Sequence, residues 1–243
     1  MENLNLSWLE SSFDNDSYAD LNLICRDKSY TAHRVIVCPQ SPVIARKLQS
    51  QFQSIKQDPS CDSCGGTSAY HYDLSQDDPQ AVDCLIQFFY HQNYQKPPRR
   101  VTKEDAEPED EGKGTLTSFL TQSTIGDCYP ILHVKVYALA EFYDVPALKK
   151  LALEKFNNVI KHNLQPDRFL DSVEEAYASM MPEDRGLRGA IVNFFYAHPD
   201  LVKHERVQGM LKETNSLTYD LFMHWHGKQG TATVTGRKAK QFF

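Results

Sequence analysis

The sequence predicts an α+β chain whose strands are confined to its first third and whose C-terminal half is all helical. Three observations point there. Apolar residues alternate at Leu21, Leu23 and Cys25 and again in the run from Tyr70 to Leu74, as half-buried strands require. From Asp77 onward the apolar period switches to helical spacing. Beyond residue 163 helical patterns follow one another with no strand signal between them.

Taken in order, Leu4, Leu6, Trp8, Leu9 and Phe13 share one stripe of a short amphipathic helix, and a stripe of that kind wants a partner surface. Strand alternation over 20–25 gives way to a polar turn at Arg26, Asp27 and Lys28, from which residues 29–32 return as the second strand of a hairpin. Ser41 then reads as an N-cap with Pro42 in the first helical position, opening a helix over Val43, Ile44, Lys47 and Leu48. A polar stretch over 49–69 precedes the short third strand at 70–74. Asp77 and Asp78 before Pro79 start a helix whose buried face is Val82, Leu85, Ile86, Phe89 and Tyr90.

Residues 95–128 change character. Lys96, Arg99 and Arg100 flank two prolines, and 104–111 carries six carboxylates in eight residues, so a solvated, flexible insertion is expected there. Helical spacing resumes with Val134, Ala138, Leu139 and Phe142. Asp144 and Pro146 then open a second helix over Leu148, Leu151, Ala152, Phe156 and Val159, making a helical hairpin. Further helical patterns cover 166–180, 184–197 and 200–214. Residues 227–243 hold Lys228, Arg237, Lys238 and Lys240 with no acidic residue and are expected to be a mobile basic tail.

Composition excludes several classes. With 41% apolar and 24% charged residues the chain is ordinary for a globular protein, and 27.8 kDa supplies core enough without staples. Its longest apolar stretches are interrupted by Lys135 and by Arg188 and Asn193, short of the ~20 apolar residues that a membrane crossing needs. A net charge of −6 argues against a general nucleic-acid coat, which needs a basic surface. The first residues offer neither a basic n-region nor an apolar h-region. The expectation is therefore an intracellular protein, nuclear or cytoplasmic, whose six cysteines are reduced thiols.

Motifs that carry chemistry are few. Cys61 and Cys64 have metal spacing, but a zinc site needs four ligands and no second pair lies at finger-like distance, so they are read as a chance pair in a loop and no metal or cofactor is expected. A Cys61/Cys64 metal protein stays as the remote alternative. His224 and His226 could chelate as an i, i+2 pair if extended, although aromatic packing of Trp225 is the plainer role. Gly112 and Lys113 lack both the upstream glycine and the following Ser or Thr of a phosphate loop, and no nucleophile elbow or H-E-x-x-H is present. No enzyme is expected.

The runs Tyr18-Ala-Asp20-Leu-Asn-Leu-Ile-Cys25, Tyr30-Thr-Ala-His33-Arg34-Val-Ile-Val-Cys38-Pro-Gln-Ser41-Pro42, Asp77-Asp78-Pro79 through Phe88-Phe89-Tyr90, and Val136-Tyr137-Ala-Leu-Ala140-Glu-Phe-Tyr143-Asp-Val-Pro-Ala-Leu148 together resemble the BTB/POZ domain, especially its fungal versions. Val43 departs from the pattern, standing where members often have phenylalanine. The resemblance implies a helical cluster capped by a small, mostly antiparallel sheet, here over 17–162. An N-terminal segment (1–16) precedes it, and a helical extension (163–226) and the basic tail (227–243) follow. It implies a protein-interaction module that dimerises and, in many members, serves as an adaptor for a cullin ubiquitin ligase, with a transcriptional or chromatin-associated regulator as the alternative. Asp20 and Arg34 match the charged positions that lie at the dimer interface of some members; with Leu4, Trp8, Leu9 and Phe13 they form the expected homodimer interface. His33 and Ser41 match positions with a structural role, and His33 is expected to be a satisfied buried histidine.

Overall fold

The computed structural model describes residues 7–56, 70–95, 129–162 and 166–232. The chain divides into two compact units, Met1–Leu164 and Gln165–Phe243. In the first, a short helix α1 (Ser7–Ser11) leads to strands β1 (Leu21–Cys25) and β2 (Lys28–Ala32), helices α2 (Arg34–Val37) and α3 (Pro42–Lys56), strand β3 (Tyr70–Asp73), and helices α4 (Pro79–His91), α5 (Pro130–Phe142) and α6 (Pro146–His162).

β1 is the central strand because both of its edges are paired and alternate residues are buried. Leu21, Leu23 and Cys25 turn into the core at 1%, 0% and 2% exposure. β2 runs antiparallel to it, with Leu21 opposite Ala32 and Cys25 opposite Lys28 across a two-residue turn. β3 runs parallel, with Leu21 opposite Tyr70 and Ile24 opposite Asp73. The sheet expected to be mostly antiparallel is thus mixed, one pairing of each kind. α2 and α3 lie between β2 and β3 in the chain, a connection long enough to reach the other edge of β1, where β3 pairs parallel to it; a hairpin turn could only have placed β3 beside β2.

The helical starts follow local chemistry. Asp78 caps α4, its carboxylate accepting from the backbone N–H groups of Gln80 (3.0 Å) and Ala81 (3.1 Å), with Pro79 in the first turn. α4 buries Val82, Cys84, Leu85, Phe88, Phe89 and Tyr90, and Lys135 on α5 reaches the Asp78 carboxylate at 2.8 Å. Between α5 and α6 the chain turns at Asp144 (φ 54°), and Val145 N–H donates back to the Ala140 carbonyl at 2.8 Å, a Schellman-type closure before Pro146 restarts the helix. Ser41 is fully buried. Its hydroxyl donates to the Tyr143 carbonyl (2.7 Å) and accepts from Ile44 N–H (3.3 Å), tying the start of α3 to the end of α5.

The second unit is helical among its described residues: α7 (Pro166–Ser179), α8 (Arg185–Ala197), a 3-10 turn at Pro199–Lys203, α9 (Glu205–Glu213) and α10 (Asn215–Ala232). Phe169 on α7 packs against Phe194 and Phe195 on α8, with ring centroids 4.6 and 5.6 Å apart. Leu187, Ile191, Val207 and Leu217 complete an apolar interior. The pattern read over 200–214 as one helix is divided, because Pro199 opens a 3-10 turn that ends at Lys203, with His204 between it and α9. The stretch expected to be a mobile tail from Gly227 is helical as far as Ala232. The insertion expected over 95–128, apart from Gln95, lies outside the described residues, as do Leu4, Cys61, Cys64 and the basic cluster at 237–240. No helix among the described residues is long and apolar enough to cross a membrane.

Candidate interaction site on the N-terminal unit

Asp20 enters the sheet at the head of the central strand. Its N–H donates to the Ala32 carbonyl (3.2 Å) and its carbonyl accepts from Tyr70 N–H (3.1 Å), so the ladders on both sides fix its backbone. Its carboxylate faces the first turn of α2. One oxygen accepts from Arg34 N–H at 2.8 Å and the other from Arg34 Nε at 2.8 Å. The guanidinium also lies over the Tyr70 ring, 3.9 Å from its centroid. Three strands and a helix thus hold one charged cluster, and its two charged side chains keep 43% and 37% of their surface exposed.

Partial burial disfavours the Asp20 carboxylate, but the Arg34 N–H, the guanidinium hydrogen bond and its charge outweigh it and hold the carboxyl below its ordinary range. The pair is therefore charged, ordered and accessible at neutral pH.

His33, one residue before Arg34, is 6% exposed and fully partnered. Nε2 meets the Ser17 carbonyl at 2.9 Å, which can only accept, so Nε2 carries the proton; Nδ1 then accepts from the Tyr90 hydroxyl at 3.0 Å, and that oxygen accepts from His33 N–H at 3.1 Å. The histidine fastens the β2–α2 junction to α4 and to the chain just before Asp20. Tyr18 follows Ser17 at φ 64° and is 97% exposed, an unusual backbone conformation for a bulky residue.

The N-terminal stripe finds its cover within its own chain. Leu9 is buried, and the Phe13 ring meets Tyr90 edge-on at 5.6 Å and His91 at 4.7 Å, so α1 docks on α4 rather than presenting a continuous apolar face. Consecutive helical residues diverge by about 100°, which leaves Trp8 pointing outward at 61% exposure. Beside the charged pair, α2 and α3 form a groove of about 470 Å³ lined by Val35, Cys38, Pro39, Ala45 and Leu48, with Arg34 at its edge. Val35 is 79% exposed.

The arrangement suits binding better than covalent chemistry. Burial pushes the Cys25 and Cys38 thiols up, and the Cys84 thiol up to about 12, so the described cysteines are protonated at neutral pH and weak nucleophiles. Among the described residues no group of three or more His, Cys, Asp or Glu side chains is placed to hold a metal ion. His224 and His226 lie on α10, where an i, i+2 pair diverges around the helix. The His224 ring stands edge-on to Tyr196 at 5.2 Å and His226 stacks on Phe222 at 6.4 Å. The extended chelate the sequence allowed is not formed.

Of the residues singled out from the sequence, the structure brings Asp20, His33 and Arg34 together and places Ser41 apart, at the junction of α3 and α5; Tyr70 and Tyr90 join the first group without having been expected there. Tyr90 was read as core only, and its hydroxyl role had no local signal. Tyr70 was read as strand, and its place over Arg34 follows from the parallel register that the sequence did not disclose.

Residues 9–106 match the BTB/POZ domain family, and that match supports a BTB protein. Among curated proteins, none matches the chain. BTB/POZ domains are typically protein-protein interaction modules, and such domains generally mediate dimerisation.

Proposed function

We propose that the chain is a non-enzymatic, homodimeric adaptor or scaffold that bridges a cullin-type ubiquitin ligase to a client protein. The observation that carries the reading is the BTB/POZ match over residues 9–106. It gains support from the ordered, half-exposed Asp20–Arg34 pair beside Tyr18 and Val35, whose large exposed side chains would be covered by a second copy. In this reading Asp20, Arg34 and Trp8 face the partner protomer. In this reading the BTB/POZ domain spans 17–162, and the helical extension that follows it, which includes α7 and α8, contributes to cullin binding.

Two measurements test it. Full-length protein should recover the host's cullin in a pull-down, and a version ending at Asn163 should recover much less, since an interface of about 800 Å² per partner would lose its helical supplement. No cullin recovered with the full chain, where a known adaptor succeeds, rejects the ligase role.

A second reading, a BTB regulator of transcription or chromatin, draws on the Arg237, Lys238 and Lys240 cluster. A reporter fused to residues 227–243 that accumulates in nuclei favours that reading, and a diffuse reporter disfavours it.

A further inference from the structure

Within the C-terminal unit, α8 and α10 line a half-open cavity of about 320 Å³, at the lower end of the size range of small-ligand sites. Arg188 lines it and is 3% exposed. A guanidinium offers five N–H donors, and this one makes a single hydrogen bond, from Nη2 to the Met180 carbonyl at 2.8 Å. Its Nη1 stands 3.9 Å from Asp220 Oδ2, outside hydrogen-bond range, and its Nε has no partner. Its guanidinium also lies over the Tyr177 ring, 4.6 Å from the centroid. His224 lines the same cavity, and its Nε2 is likewise buried without a partner.

Asp220 does not answer this demand. Its Oδ1 accepts from Arg185 at 2.7 Å and its Oδ2 from the Tyr177 hydroxyl at 3.1 Å, so both oxygens are engaged elsewhere. Arg185, Arg188 and Asp220 together leave one positive charge over. Buried polar groups in folded proteins are almost always hydrogen-bonded, and the buried, unpartnered Nε of Arg188 is an exception that calls for an acceptor.

We propose that this cavity binds a small monocarboxylate with an apolar body. A carboxylate brings one negative charge, which balances the surplus, and two oxygens able to serve both Arg188 and His224. Val192 and Met223 give the cavity apolar walls, which suit a hydrocarbon body and not a hydrated inorganic anion. A phosphate dianion would bring one charge too many. Arg188 and His224 both line this cavity, and each has a buried nitrogen without a partner. Gly189, on the same wall, has nothing within 4 Å of the place where a Cβ would sit. Glycine inside a helix is unfavourable relative to alanine, and here it keeps the space open.

Calorimetric titration of the full chain at constant ionic strength tests the site with acetate, hexanoate, hexanol and inorganic phosphate as probes. Hexanoate should bind saturably and at least about tenfold tighter than acetate, which lacks the body, or hexanol, which lacks the charge. Gly189→Leu should abolish hexanoate binding by filling the cavity while leaving the circular dichroism spectrum unchanged. Arg188→Lys, which keeps the charge and loses the fork, provides a second variant and should weaken hexanoate by roughly tenfold. Hexanoate no tighter than hexanol, phosphate tighter than hexanoate, or undiminished hexanoate binding in folded Gly189→Leu and Arg188→Lys proteins would each overturn the proposal.

Discussion

Each unit of the molecule contains an arginine facing an aspartate, and the two pairs are opposites. Asp20 and Arg34 are 43% and 37% exposed in their side chains and meet through two hydrogen bonds of 2.8 Å, with an aromatic ring beneath the guanidinium. Arg188 and Asp220 are 4% and 6% exposed and stand 3.9 Å apart without a hydrogen bond. Water could satisfy the first pair, yet it is fully ordered by protein; the second has little access to water and is left short of acceptors. The contrast separates two uses of charge. An ordered pair on the surface is a feature for a macromolecular partner to read, whereas an under-satisfied pair in the interior stores a demand that a small ligand can meet.

The largest break should come from the interior pair. Asp220→Ala strips Arg185, Arg188 and the Tyr177 hydroxyl of a shared carboxylate and leaves a buried guanidinium uncompensated, costing about 3 kcal/mol. Chemical denaturation followed by circular dichroism measures it. A loss under about 1 kcal/mol would place Arg188 in reach of water and erase the distinction between the pairs.

Next comes the histidine that holds the surface pair in place. His33→Ala removes the bonds to Tyr90 and Ser17 and opens a gap beside α4, for about 2 kcal/mol in the same denaturation experiment. Ser41→Ala should cost about 1 kcal/mol by leaving the buried Tyr143 carbonyl without its donor.

The surface pair itself should matter least to folding. Asp20→Ala is expected to lower the stability of the isolated chain by about 1 kcal/mol or less, because exposed ion pairs contribute little and the lost α2 contact is a single N–H bond. A loss comparable to that of Asp220→Ala would show that the pair serves the fold.

Acid sharpens the comparison within the N-terminal unit. Burial disfavours the Asp78 carboxylate, but Lys135 and the first N–H groups of α4 overcome it and hold Asp78 below its ordinary value. A carboxyl depressed on folding adds stability that is present above the ordinary carboxylate value and is lost as pH falls below it. Asp78→Asn keeps the cap and removes the titration, so its stability should fall less steeply over that acid range than that of the parent protein. Asp77 has the opposite sign. Burial raises it against the hydrogen bond from Tyr143, so its part of the stability grows as pH falls through its folded value. An unchanged acid slope in Asp78→Asn would remove Lys135–Asp78 from the account.

What could be read from the sequence divides along the same line between local and long-range causes. The hairpin over 20–32, the starts at Ser41–Pro42 and Asp78–Pro79 and the α5–α6 hairpin rest on neighbouring residues, and the structure places them there. The parallel pairing of β3 rests on a crossover across some forty residues, so the alternation at 70–74 announced a strand but not its direction. The N-terminal stripe was legible as amphipathic; that α4 covers Leu9 and Phe13 was not, because a stripe does not name its partner. His33 was expected to be satisfied, while its donors and acceptors come from positions 17 and 90, far apart in the chain. The interior pair went unread altogether. Arg188 looked like an interruption of an apolar run, and nothing near it in the sequence signals a cavity.

The claim on which the functional reading turns is that the exposed Asp20–Arg34 cluster belongs to a protein interface, and the mass of the full chain in solution tests it most directly. Multi-angle light scattering at micromolar concentration should give about twice 27.8 kDa for the parent protein and 27.8 kDa for a folded Asp20→Ala Arg34→Ala variant. A parent protein that runs at 27.8 kDa, or a double variant that stays dimeric, would contradict the account.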